Sequence, residues 1–341
     1  MNIKELLRPN IRDLAPYSTA RDEYQGTLGV YLDANENPFD NGFNRYPDPR
    51  QKELKKLLSQ IKGLPVENIF IGNGSDEPID LVYRLFCEPG VHNAVSIAPT
   101  YGMYKVAAAI NNVEFREVQL GTDFLLDPDA LLAAADDRSR LLFICSPNNP
   151  SGNLFPASDI ERILREFPGI VVLDEAYIDF AGAQSFITRL TEFPNLIVLQ
   201  TLSKAWAMAG LRLGLAFASA EIVETLSRVK YPYNINVVTQ QLVAQQLEKP
   251  VTAQVAQIVA QRDMVIRDLK KLPIVRHVYP SDANFVLARF DNPRAVYEAL
   301  VAGGVIVRDR SRIKGCEGCL RITIGTPEEN MEMLEILSGL A

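Results

Sequence analysis

Between about residues 68 and 218, short apolar runs recur at intervals that leave room for a helix between neighbours: 94–98, 141–145, 170–173, 197–199 and 213–218. Each run is bounded by Gly, Pro, Asn or Asp and is apolar at consecutive positions, the pattern of strands buried on both faces. The spacing predicts a mostly parallel sheet covered by helices. After Tyr231-Pro232-Tyr233 the composition turns helical over 237–272, with a break at Lys249-Pro250 where proline interrupts the hydrogen-bond ladder. Further on, strands are expected at 284–289, 305–308 and 320–324, with helices at 293–302 and from Pro327 onward. Residues 1 to about 40 contain Pro9, Pro16 and Pro38 and little periodicity, and read as an extended arm that packs on something else. The expected organisation is an arm (1–40), a large α/β domain (41–236), and connector helices leading into a small α+β domain (237–341).

Composition narrows the class. A chain of 341 residues, 47% hydrophobic and 23% charged, can build a large core and usually divides it between two domains. The net charge of −7 repels phosphodiester backbones and anionic lipid, so neither nucleic acid nor a membrane is the expected partner. The opening MNIKELLRPNIRDL is charged throughout and lacks a long apolar run, which favours the cytoplasm. Among four cysteines only Cys316 and Cys319 have a ligand-like spacing, and a structural zinc site wants four ligands, so no metal is expected. With His92 and His277 the sole histidines, proton transfer falls to another side chain.

Four segments carry candidate chemistry. Gln200-Thr201-Leu202-Ser203-Lys204-Ala205-Trp206 follows the run at 197–199, and a lysine just past a buried strand, among hydroxyls and apolar residues, is partly desolvated. That lowers its pKa and frees the amine to bond a carbonyl. Ser203, and Arg212 eight residues after the lysine, suit a phosphate monoester. The run Ile170-Val171-Val172-Leu173 ends in Asp174-Glu175-Ala176-Tyr177, and ligands collect at the carboxyl ends of strands in open α/β sheets. Asp174, directly ending the strand, is preferred over Glu175 as the carboxylate that keeps a pyridine nitrogen protonated, with Tyr177 bonding that ring's phenolate oxygen. Gly72-Asn73-Gly74-Ser75-Asp76 is a glycine turn opening a helix, where the Ser75 and Asp76 amides can donate to an anion. In Ser146-Pro147-Asn148-Asn149-Pro150, Asn149 offers both a donor and an acceptor. Singly, each segment also reads as a loop, a helix cap or a proline turn.

Jointly, in this order and spacing, the segments resemble the fold type I pyridoxal-phosphate-dependent aminotransferases, with SKAWAMAGLRLG and LDEAY the most diagnostic pieces. Within that group Asn44-Arg45-Tyr46-Pro47-Asp48-Pro49, Leu32-Asp33-Ala34-Asn35-Glu36-Asn37-Pro38 and Gly318-Cys319-Leu320-Arg321-Ile322-Thr323 look like the histidinol-phosphate aminotransferase family. The resemblance implies pyridoxal 5'-phosphate on Lys204, with Ser75, Asp76, Asn149, Asp174, Tyr177, Thr201, Ser203 and Arg212 around it. It further implies Tyr101 stacked on the ring, Tyr46 reaching the cofactor of the other subunit of a homodimer, and Tyr17, Tyr46, Arg308 and Arg321 around the substrate. The implied reaction passes an amino group between L-histidinol phosphate and 2-oxoglutarate. The alternatives are an aromatic or other amino-acid aminotransferase or a threonine-phosphate decarboxylase on the same scaffold and, more remotely, a non-catalytic cofactor sensor.

Overall fold

The computed structural model describes residues 2–15, 20 and 29–340. Seven strands, β1 (Ile69–Asn73), β2 (Asn93–Ala98), β3 (Glu114–Gln119), β4 (Ser139–Cys145), β5 (Ile170–Asp174), β6 (Leu196–Thr201) and β7 (Leu213–Phe217), form one sheet in the order β1-β7-β6-β5-β4-β2-β3. The contiguous strands β3-β2-β4-β5-β6 are parallel, and β7 is antiparallel to both β6 and β1. Alternation along each strand feeds two cores. Leu142 and Ile144 of β4, with Val171 and Leu173 of β5, face the helices Lys52–Lys62 and Ala157–Glu166. Leu141, Phe143, Ile170 and Val172 face the helices Asp76–Phe86, Met103–Ile110 and Ala220–Val229. Helices on both faces explain the unbroken apolar runs. Because β7 turns back on β6, β1 runs the same way as the parallel strands, and the carboxyl ends of β1, β2, β4, β5 and β6 meet along one edge with the amino end of β7.

A second sheet, β10-β11-β9-β8, pairs β8 (Val275–Val278), β9 (Phe285–Phe290), β10 (Arg308–Asp309) and β11 (Cys319–Thr323), all antiparallel. Val286, Ala288 and Phe290 of β9, with Leu320 and Ile322 of β11, pack on the helices Thr252–Leu269, Pro293–Ala302 and Pro327–Ser338. The intervening residues Phe285, Leu287, Cys319 and Arg321 project from the other face, toward the large sheet. The last helix starts on a capping box in which Thr326 and Glu329 satisfy each other's backbone N–H groups.

Two expectations are corrected, and two strands escape the pattern. The start of the chain is no extended arm: Ile3–Leu6 and Pro9–Arg12 are short helices that bury Ile3, Leu7 and Ile11 in the second core, with Arg8 N–H bonded to Leu85 O at 2.8 Å. The i, i+4, i+8 spacing of those three residues carries the contact. The strand expected at 305–308 pairs only at Arg308–Asp309, because Val305 N–H folds back to Leu300 O at 2.8 Å through Gly304 at φ +83°. The edge strands β3 and β8, where Glu114, Arg116, Glu117 and Arg276 interrupt the apolar positions, carry no apolar run to reveal them.

Candidate active site

The shared sheet edge holds a cavity of about 140 Å³ lined by Ser75, Asp76, Tyr101, Asn149, Asp174, Tyr177, Thr201, Ser203, Lys204 and Arg212, together with Cys145, Ala176 and Ala209. Every expected cofactor residue except Tyr46 is therefore in one place. A larger cavity of about 350 Å³ lies near the helices Lys52–Lys62 and Ala220–Val229 and contains none of them, so chemistry rather than volume marks the site.

Asp174 is 3% exposed and receives the Tyr104 hydroxyl at 2.6 Å and the Ala176 N–H at 3.0 Å. Burial pushes its carboxyl up to about 6 against the pull of those two bonds. Glu175 turns the other way, where it accepts from the Ser185 hydroxyl, from Phe186 N–H at 2.8 Å and from Gln200 at 3.0 Å. Period-two alternation at the strand end thus separates a carboxylate facing the cavity from one that pins a loop. Lys204 retains an exposed flank, with its amine 5.9 Å from the centre of the Tyr177 ring. Partial burial, followed by the nearby guanidinium groups of Arg321 and Arg212, holds that amine below the usual lysine range.

The turn after β1 is shaped by backbone contact with β7. Gly74 lies at φ +72° and gives its N–H to Arg212 O at 2.7 Å, while a Cβ on Gly74 would meet Arg212 Nη2 at 2.8 Å. Gly214 is tighter: its Cβ would stand 2.1 Å from Ser75 N and 2.3 Å from Gly74 C. These glycines bring the start of the helix Asp76–Phe86 and the Arg212 guanidinium to the same spot, the arrangement that receives a phosphate. Arg212 stands 3.8 Å from Asp76, which also accepts the Tyr101 hydroxyl at 3.0 Å. Thr201 Oγ1 accepts Ser203 N–H at 3.1 Å and so holds the turn leading to Lys204.

Asn149 accepts from Arg321 Nη1 at 2.6 Å. The bond fixes the amide with its NH2 group left to donate, and joins the small sheet to the cavity wall. Tyr177 packs edge-on against Phe285, 5.1 Å between ring centres. Arg308, opposite Arg321 across the β10·β11 pair, is exposed. Tyr46 lies outside this cavity, half exposed and stacked on Tyr233 at 4.4 Å, while Glu36 clamps its loop through Tyr46 N–H at 2.6 Å and Arg45 at 2.7 Å. Tyr17 lies outside the described residues. Sequence reasoning missed Tyr104, fully buried and stacked on Phe143; its i, i+3 spacing from Tyr101 was the available signal. Cys316 and Cys319 are buried free thiols packed with Phe124, Tyr279 and Leu287.

The residues fit pyridoxal phosphate. Asp174 is a buried carboxylate with no ion-pair partner among the described residues, the cup at Gly74–Asp76 suits a phosphate, and Lys204 offers an amine between them. Comparison with known proteins agrees. The sequence family "Aminotransferase class I and II" matches residues 23–337. A histidinol-phosphate aminotransferase of Parabacteroides distasonis is 52% identical over 341 residues, covering 99% of both chains. The crystal structure of the histidinol-phosphate aminotransferase from Clostridium acetobutylicum superposes with a TM-score of 0.80 at 25% identity, over 87% of this chain and 91% of that one. That of the Sinorhizobium meliloti histidinol-phosphate aminotransferase in complex with pyridoxal-5'-phosphate shares the fold, with a TM-score of 0.78 at 24% identity over 87% and 84%.

Proposed function

This chain belongs to the class I and II aminotransferases, and from that premise we propose that it transfers the amino group of L-histidinol phosphate to 2-oxoglutarate, giving imidazole acetol phosphate and glutamate, as a cytoplasmic homodimer. The observation that carries the substrate reading is the likeness, over nearly the whole of both chains, to a histidinol-phosphate aminotransferase. Pyridoxal phosphate, when bound, supplies an electron sink for the substrate carbanion. Lys204 holds the cofactor through its amine. Freed by the substrate's amine, Lys204 Nζ would take the proton from the substrate α-carbon and deliver it to the cofactor carbon that the lysine had held, a task helped by its lowered pKa. Asp174, positioned by the Tyr104 hydroxyl and the Ala176 N–H, keeps the ring nitrogen protonated. Asn149 and Tyr177 would donate to the ring's phenolate oxygen, and Tyr101 would cover the ring. Ser75, Asp76, Ser203 and Arg212 bind the cofactor's phosphate.

Arg321 and Arg308 anchor the anionic end of each substrate. The dimer reading is supported by apolar side chains left in water, among them Val30 at 88%, Leu32 at 87% and Phe39 at 81% exposure, on the stretch that leads to Tyr46. In the dimer, Tyr46 serves the partner's site and Tyr17 lines the substrate pocket. Residues 41–236 act as the cofactor domain and 237–341 as the part that brings the arginines. No helix among the described residues is long and apolar enough to cross a membrane.

The test is turnover of the holoenzyme with 2-oxoglutarate and a panel of amino donors. L-Histidinol phosphate should exceed phenylalanine and tyrosine in kcat/KM, and threonine phosphate should release no carbon dioxide. Preference for an aromatic amino acid, or decarboxylation, would overturn the substrate assignment.

A further inference from the structure

The face of the small sheet that looks toward the cavity carries more positive charge than two anchors account for. Arg308 stands directly opposite Arg321 in the β10·β11 register. Arg310, two residues further on and bonded through its N–H to Cys319 O at 3.0 Å, returns to the same face by strand alternation. Arg321 ties this face to the cavity through Asn149. The Nε atoms of Arg310 and Arg321 are both buried with no hydrogen-bond partner. Among the described residues none of the three arginines pairs with a carboxylate. The Arg310 guanidinium is held below its usual range by burial first, then by Arg321 and Arg308, with Tyr177 among the groups pulling the other way.

Buried donors and uncompensated like charges are costly unless a ligand answers them. A carboxylate brings one negative charge. A phosphate monoester brings about −1.5 to −2 and three strong acceptor oxygens, which suits a third guanidinium. We propose that Arg310 is a specificity-determining residue that supplies this third guanidinium to the phosphate group of the amino donor, an interaction the dicarboxylic acid does not use. The inference rests on the reading that the donor is a phosphate ester.

The experiment follows each half-reaction separately by single-turnover cofactor spectroscopy in the holoenzyme and in Arg310→Gln and Arg310→Lys. Loss of one charged hydrogen-bond donor should lower kcat/KM for L-histidinol phosphate about 10- to 100-fold in Arg310→Gln, with Arg310→Lys recovering part, and change that for L-glutamate by less than about 3-fold. Inorganic phosphate, competing with glutamate, should bind more weakly to Arg310→Gln by a similar factor. Equal losses in both half-reactions, or none, would overturn the assignment and make Arg310 a packing residue of the loop between β10 and β11. If wild-type enzyme does not accept histidinol phosphate, the functional reading fails, and the phosphate-competition arm still decides Arg310: weakened competition supports it, unchanged competition overturns it.

Discussion

Asp174 is the residue whose environment states most about its work. A carboxyl pushed up to about 6 by burial carries a penalty when ionised, and a cationic ring nitrogen against it would offset that penalty. The sign can be followed in the apoprotein. A folded-state pKa above the ordinary 3.8 means the folded chain binds more protons between those values, so the stability contributed by this group falls as pH rises from about 4 through about 6. Asp174→Asn cannot ionise, so its melting temperature relative to wild type should climb between pH 4 and pH 7 without cofactor, by the equivalent of roughly 1–3 kcal/mol. A flat difference across that range would show that the carboxyl is not perturbed. In the holoenzyme the same variant should lose turnover far more than cofactor affinity. Lys204→Ala should abolish transamination yet still bind pyridoxal phosphate noncovalently, as equilibrium dialysis can measure, since the phosphate cup and ring contacts are separate from the amine. The choice between Asp174 and Glu175 was legible because position at a strand end sets facing. The spacing from Tyr101 could have drawn attention to Tyr104, but not its bond to Asp174, which joins residues 70 apart in the chain.

At the scale of elements, the site is a set of strand ends, and this is why apolar runs located it. The runs at β2, β4, β5, β6 and β7 are long enough and bare enough to read; the chemistry follows the first four within a few residues, and Arg212 immediately precedes the fifth. What the pattern does not carry is contact between distant elements. Gly72-Asn73-Gly74 is legible as a turn, but the demand at Gly214 arises where β7 presses on that turn. Gly214→Ala should therefore displace Ser75, cost on the order of 1–3 kcal/mol in stability, and weaken pyridoxal phosphate binding about 10-fold or more. Gly210→Ala is the control on the same segment, since nothing lies within 4 Å of its Cβ position, and should change neither. Calorimetry and cofactor titration separate the two; equal behaviour would dismiss the backbone contact. The 305–308 expectation failed for the complementary reason: Val305 to Val307 have strand composition, yet a helix terminus claims the Val305 backbone donor.

For the whole molecule, the arm that composition suggested divides into a part whose apolar side chains are buried on its own chain and a part whose apolar side chains stand in solvent. Ile3, Leu7 and Ile11 are buried, whereas Val30, Leu32, Phe39 and Phe43 are exposed beside Tyr46. A second subunit would bury that surface and bring Tyr46 to its partner's cofactor. Mixing inactive Lys204→Ala chains with inactive Tyr46→Ala chains should restore activity, because in the heterodimer one site carries neither lesion; no recovery in verified heterodimers would place Tyr46 in its own subunit's site. On this reading one lysine, Lys204, both holds pyridoxal phosphate and gives way to the amine of L-histidinol phosphate. Borohydride reduction of the holoenzyme followed by peptide mass mapping tests it directly. The cofactor should be found fixed to Lys204, and a saturating pulse of L-histidinol phosphate before reduction should remove that label; a label on another lysine, or one indifferent to the substrate, would contradict the account.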